Sequence, residues 1–327
     1  MASELAIAAP PDPTVRITNG SGSVRVTGED RADVIVSGAS HAEVADDGSV
    51  EVKARNPKTL AQVAQDQNVD VQTVIDAMVA EATAHIDQEV QEGELTAEEA
   101  NEGKANLQDR ITRLVNEGKS TIQGPRGHGP KLDAAAEALN LSVSDLRDQL
   151  GPGSITVRCP EGSDVIIGDG RGDVELDGRL GRARVTVRSG SISVENVDRL
   201  DARTGSGSFE VSLCVGECRL KTGSGSIRVG RAGSADLATG SGTVAADLVD
   251  SAKVKAGSGN VDIGLAGVGN VDVKALSGSV MVTVPRGTRP ATRLETLSGR
   301  VERDLEVGEE GEVRVKTLSG SIRLLER

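Results

Sequence analysis

Apolar and polar residues alternate through most of this chain. In Val24-Arg25-Val26, Ile227-Arg228-Val229 and Val313-Arg314-Val315 every second residue is aliphatic and the one between is charged, the period of a strand with one buried face. Small-residue corners, usually Ser-Gly, interrupt the alternation at near-regular intervals. Nine corner glycines, Gly172, Gly190, Gly207, Gly225, Gly242, Gly259, Gly278, Gly299 and Gly320, are 17 to 21 residues apart. Short strands turning at a fixed period predict a mainly β chain, a single-stranded β-solenoid (β-helix) whose coils stack ~4.8 Å apart. Aligned on the corner serine, the residue two before it is small (Thr204, Thr222, Thr239, Ala256, Ala275, Thr296, Thr317). The residue four before it is mostly aliphatic (Ala202, Leu220, Leu237, Val254, Val273, Leu294, Val315). Pairs such as Phe209 and Val211, Val280 and Val282, and Ile322 and Leu324 follow most corners. These positions are expected to face inward, each on its counterpart in the next coil, with Arg, Lys, Asp, Glu and Ser outward. Nine C-terminal coils with two or three from residues 14–56 predict a rod roughly 50 Å long.

Residues 14–55 read the same way, through Val15-Arg16-Ile17-Thr18, a turn at Gly20-Ser21-Gly22, then Ser23–Val26, Asp33–Val36 and Ser49–Val52. From Pro57 to about Leu150 the period becomes helical. Leu60, Val63 and Ala64 make one short face, and Val71, Val74, Ile75, Met78, Val79, Ala82 and Ile86 recur at three and four. Thr96 with Glu99 is a capping box, which predicts a helix whose face is Leu107, Ile111, Leu114 and Val115. A loose linker is expected over Gly118–Pro130, then short helices over Leu132–Leu139 and Ser142–Leu150, with Ser142 as N-cap. The alternation resumes at Gly153. The expected organisation is therefore 1–56 as the first coils, 57–150 as an inserted all-α helical domain, and 151–327 as the main solenoid. With 57–150 removed, the join runs from Val52-Lys53-Ala54 to Gly153-Ser154-Ile155 and resembles Leu220-Lys221-Thr222 followed by Gly225-Ser226-Ile227. The insert thus enters at a corner, where loops point outward and tolerate added chain.

Composition narrows the function classes. The net charge is −13, against the basic face that nucleic-acid binding needs. Residues 57–150 carry 17 acidic against 8 basic residues, so most of that charge sits in the helical segment. Phe209 is the sole aromatic, which argues against base stacking and against a sugar-binding platform. Cys159, Cys214 and Cys218 make no paired framework and read as small buried apolar residues. The segment MASELAIAAPPD lacks the charged start and apolar run of an export signal, and no stretch approaches the ~20 apolar residues of a membrane span, so a cytoplasmic, reduced protein is expected.

Candidate chemistry is sparse. Glycine-rich loops such as Thr204-Gly205-Ser206-Gly207-Ser208 are followed by strands, whereas a phosphate cradle needs a helix N-terminus, so they read as corners. Thr59–Met78 has the spacing of a DNA-reading helix-turn-helix, but its second helix offers Asp70, Gln72 and Asp76 and no cation. His85 reads as a packing residue and the acids of Glu89–Glu102 as a solvated helix surface. No catalytic, metal or cofactor-binding residues are assigned and none of these groups is expected.

The coils Arg188-Ser189-Gly190-Ser191-Ile192-Ser193-Val194 and Leu318-Ser319-Gly320-Ser321-Ile322, with Val157-Arg158-Cys159-Pro160-Glu161-Gly162-Ser163, resemble the bacterial putative-adhesin family of uncharacterised function. The resemblance covers roughly two thirds of the chain; it implies a β-solenoid and no catalytic residues. The insert is similar to small helical repeats of actinobacterial proteins, in which a Leu-Asp-Ala-Ala-Ala hairpin leads into Lys-Thr-Leu-Ala-Gln. Here Lys58-Thr59-Leu60-Ala61-Gln62 comes first and Leu132-Asp133-Ala134-Ala135-Ala136 through Leu150 last, the order of a circular permutation. Natural recombination and deliberate fusion both give that order. The expected function is a non-enzymatic scaffold, a solenoid displaying an acidic helical module for a protein partner. The alternative is a surface adhesin-like protein or one that self-assembles into filaments through the solenoid ends, the last coil Ser321–Arg327 showing no cap.

Overall fold

A computed structural model gives the architecture, describing residues 4–10, 13–18, 22–54, 57–117, 132–151 and 153–327. The chain divides into two compact units, Met1–Arg55 with Ser154–Arg327, and Asn56–Gly153. The first is a β-solenoid.

Its centre is regular. Strands Val174–Ser189, Ile192–Ser206, Phe209–Ser224, Ile227–Ser241 and Val244–Ser258 pair in parallel, each with the next in sequence. Register puts Ile192, Phe209, Ile227, Val244 and Val261 in one inward column, and Leu220, Leu237, Val254 and Val273 in another. All of these are buried; each such side chain contributes about 1.5–3 kcal/mol, and no wider core is needed to hold bulky aromatics. Thr204, Thr222, Thr239 and Thr317, two before their corners, are buried as well. Thr222 Oγ1 lies 3.0 Å from the Gly207 carbonyl of the preceding coil and 3.1 Å from the Ser224 carbonyl. Thr239 repeats this at 3.1 Å to Gly225 and to Ser241. The hydroxyl satisfies a corner carbonyl that the parallel ladder leaves under-bonded, which is why a polar residue is tolerated in that column.

At both ends the coils stack out of chain order. The stacking expected to follow chain order throughout does so only in the centre. Ile17 pairs with Val52 on one side and Ile167 on the other, and Val24 pairs with Ile155 and Val174. The first coil therefore lies between residues 50–54/155–160 and residues 164–178. At the other end Val273 pairs with Val315, and Leu294 also pairs with Val315. The last coil, 312–326, is thus interior, between 270–284 and 291–304. The edge is 291–304, not Ser321–Arg327. Inward residues account for the choice. The last coil offers Val313, Val315, Ile322 and Leu324, all buried, whereas the same columns hold Thr292, Leu294, Val301 and Arg303 in the edge coil.

Residues 33–44, read as a continuing winding, run in reverse. Asp33–Ser37 pairs antiparallel with Ile155–Pro160, and Ala39–Val44 antiparallel with Val50–Ala54. Glu4–Ala8 adds antiparallel to Asp33–Ser37. Alternation is the same for either direction, so the sequence pattern carried no sign of the reversal. The turn at Gly20 and Ser21 lies outside the described residues.

The second unit holds six described helices, α1 (Leu60–Asp66), α2 (Val71–Gln91), α3 (Ala97–Ala105), α4 (Leu107–Glu117), α5 (Leu132–Ala138) and α6 (Val143–Leu150). Val63, Val74, Met78, Ile111, Val115, Leu139 and Leu146 form its own core. Thr59 and Thr96 make reciprocal capping boxes with Gln62 and Glu99, and Ser142 caps α6. The single helix expected from Thr96 is two, parted at Asn106, which terminates α3. Buried apolar residues cluster in α4 (Leu107, Ile111, Val115), while α3 buries only Ala100. The linker expected over 118–130 lies outside the described residues. The unit's ends meet, the Lys58 N–H donating to the Gln149 carbonyl at 3.3 Å.

Candidate functional site

Four surfaces or clusters bear on function. The first is the outer wall of the solenoid. Register aligns Arg184, Asp201, Arg219, Asp236, Lys253, Asp272 and Arg314 coil upon coil, and Arg219 reaches Asp236 at 3.5 Å. Charges of alternating sign at the strand spacing neutralise one another and favour the native register. They leave a mixed wall rather than a basic or acidic face.

The second is a groove along the corners, about 540 Å³, lined by Ser191, Ser193, Ser208, Ser226 and Thr243 with Asp173, Glu175, Glu210 and Arg228. Its hydroxyls and carboxylates brace successive coils. The Ser191 N–H donates to Asp173 Oδ1 (2.8 Å) and the Ser226 N–H to Ser208 Oγ (3.2 Å). The corner amides are spent in the same way, Gly207 N–H on Ser224 O (3.0 Å) and Gly225 N–H on Ser241 O (2.9 Å). A phosphate cradle needs such amides free, so the glycine loops act as corners.

The third is the edge coil. Strands Ala291–Ser298 and Val301–Asp304 each pair on one side, with Glu312–Ser319 and Ile322–Glu326. Leu297 is 83% exposed and Val301 43%. Leu276, Leu318 and Leu297 align on three adjoining coils, where earlier coils place Gly205, Gly223, Gly240 and Gly257.

The fourth is the acidic helical surface. Glu92, Glu94, Glu98 and Glu102 are exposed around the α2–α3 turn, and Lys104 pairs with Asp87. Asp70, Gln72 and Asp76 are engaged locally: Asp70 caps α2 through the Gln72 N–H, and the Gln72 amide donates to Asp76 at 2.8 Å. His85 Nδ1 lies 3.9 Å from Glu89 one turn on.

All three cysteines are buried and free. Burial pushes the Cys159 thiol up to about 11, out of the range of a reactive thiolate. Its S–H lies 3.7 Å from the Thr27 carbonyl. Among the described residues no three His, Cys, Asp or Glu side chains are grouped to hold a metal, and no helix is long and apolar enough to cross a membrane.

The Toastrack DUF4097 family model matches residues 149–324, more than half of the sequence. The chain belongs to that family. The Toastrack match spans the parallel solenoid from its re-entry after the helices to its last coil. No curated protein matches the chain. Solved structures that align along it include two of bacterial origin. One is a putative cell adhesion protein from Clostridium sporogenes, at 10% identity, 100% of both chains and a TM-score of 0.21. The other is a putative adhesin from Bacteroides fragilis, at 9% identity, 99% of this chain, 97% of that chain and a TM-score of 0.36.

Proposed function

We propose that the protein is a non-enzymatic interaction scaffold in which the solenoid carries the helical unit as a module for a protein partner. The reading rests on one observation, the self-sufficiency of the insert. Its core is separate from that of the solenoid, its ends meet at Lys58 and Gln149, and solenoid register passes from Val24 to Ile155 across the sequence gap. A module that interrupts one corner and leaves the stack in register adds nothing to the stack itself. Its exposed carboxylates at Glu92, Glu94, Glu98 and Glu102 suit a basic protein surface. Three immobilised proteins test this: the whole chain, residues 57–150 alone, and the chain lacking 57–150. The reading expects one partner retained by the first two and released when those four glutamates become Gln. Retention by the solenoid alone, or by neither part, overturns it.

A second reading, self-association at the solenoid end, is favoured by the one-sided pairing of residues 291–304. An open strand edge is a template for another chain. Sedimentation across a concentration series separates the readings, since a monomer throughout removes the second.

A further inference from the structure

Cys214 and Cys218 face each other across a single bend in the middle of the stack. Register sets Cys214 in a column between Val197 and Ala232, and Cys218 between Leu200 and Ala235. The neighbouring coils make this bend with two residues, Asp198-Arg199 and Gly233-Ser234; the cysteine coil uses three, Val215-Gly216-Glu217. The parallel register slips at that point on both sides. The extra residue keeps both side chains inward while pushing Val215 out to 60% exposure. Both thiols are fully buried, and each is the strongest influence on the other's ionisation. The backbone N–H groups of Leu200 and Gly216 favour the Cys214 thiolate as well.

We propose that Cys214 and Cys218 are a peroxide-oxidisable dithiol that closes into a disulfide across the bend. The two thiols differ in the required sense. Hydrogen bonds from Cys218 and the two backbone groups hold Cys214 below the ordinary thiol range, while donating that bond and being buried hold Cys218 well above it. Cys214 is therefore the attacking thiolate and Cys218 the resolving thiol. In the first step the Cys214 thiolate attacks one oxygen of a hydroperoxide. The O–O bond breaks, a sulfenic acid forms, and the second oxygen leaves as hydroxide or alkoxide and takes up a proton. In the second, the Cys218 sulfur attacks the sulfenic sulfur, the S–S bond forms, and water leaves with the Cys218 proton. Two thiols are oxidised by two electrons and one peroxide is reduced. Hydrogen peroxide is little larger than water, which suits a site reached only by local opening of an exposed bend. Disulfide closure needs Cα atoms ~4.4–6.8 Å apart, and the two cysteines flank one three-residue bend with both side chains buried. Cys159 has no thiol partner among the described residues and its pKa is raised, so it serves as an internal control.

The experiment treats the reduced, folded full chain with hydrogen peroxide at neutral pH. Catalase stops the reaction, and the protein is denatured in iodoacetamide for intact-mass and peptide analysis. Alkylatable thiols should fall from three to one, with Cys214 and Cys218 cross-linked, and dithiothreitol should restore three. Ala occupies the corresponding positions 232 and 235 in the next coil, so C214A and C218A keep a side chain the stack already accepts. C218A should accumulate a dimedone-reactive sulfenic acid at Cys214; C214A should leave Cys218 unmodified at the same dose. Three free thiols after native treatment, oxidation of Cys159 as fast as Cys214, or cross-linking only in denaturant would overturn the proposal.

Discussion

The Arg303 guanidinium donates to Thr292 Oγ1 at 3.3 Å, and both residues stand at inward positions of the edge coil. Arg303 is in register with Leu324, and Thr292 with Val313. The pair therefore lies over the exposed end of two apolar columns, linking one wall of the coil to the other. Terminal repeats of a stacked array need a polar outer face, and an inward charge is a known means of blocking strand addition. Replacing Arg303 with Leu extends the column of Val282 and Leu324 to the surface and removes the charge. R303L is expected to shift sedimentation toward larger species with rising concentration, relative to the parent chain. Unchanged sedimentation would show that the arginine does not guard this end.

The solenoid was legible because two signals agree at every coil: period-two alternation and a corner at fixed spacing. Its stacking order was not, because aligning corners treats every coil alike. The distinguishing signal was nevertheless present. Val301-Glu302-Arg303 puts a cation where Val282 and Leu324 stand, and Thr292 replaces a valine. A coil with polar inward residues belongs at an end, whatever its place in the chain. Reversal at 33–44 left no comparable mark, since a strand's face pattern is blind to its direction. The cysteine pair was visible only as two buried residues; the extra residue of the Val215-Gly216-Glu217 bend appears once neighbouring coils fix the register.

Corner glycines differ in what they prevent. Gly225 has φ of +144°, and a Cβ there would lie 2.1 Å from the Gly207 carbonyl oxygen of the adjoining coil. Neither backbone can retreat without breaking ladder bonds on both sides. Gly225→Ala is expected to cost about 2–4 kcal/mol. Gly267→Ala is the control, its Cβ meeting nothing within 4 Å, and should change stability by less than about 1 kcal/mol. Thermal and urea unfolding of both variants check the contrast, and equal losses would refute the steric account.

The buried threonines make a subtler demand. Thr222→Val keeps the shape and removes the hydroxyl that lies 3.0 Å from the Gly207 carbonyl and 3.1 Å from the Ser224 carbonyl. The loss should be about 0.5–1.5 kcal/mol, read as a lower urea midpoint at unchanged m-value. Thr222→Ser, which retains the hydroxyl, should recover the hydrogen-bond part. A valine variant as stable as the parent would mean that ordinary aliphatic packing suffices in this column.

Asp262 supplies a pH dependence of definite sign. Although the side chain is exposed, desolvation by the atoms around it, aided by the neighbouring Asp247 carboxylate, holds its pKa above the ordinary carboxylate range. The folded chain keeps this proton at pH values where the unfolded chain has already lost it. Stability from this group therefore falls as pH rises from the ordinary carboxylate pKa through the raised one, and stays lower above it. Asp262→Asn removes the ionisation together with the repulsion from Asp247. At pH 7 the variant should unfold at a slightly higher temperature than the parent. The difference should shrink as pH falls through the raised value and be gone below about pH 4, where the unfolded carboxyl is protonated as well. A variant that is less stable at pH 7, or a difference that grows toward acid, would show that the Asp262 carboxylate is stabilised in the fold rather than strained by it.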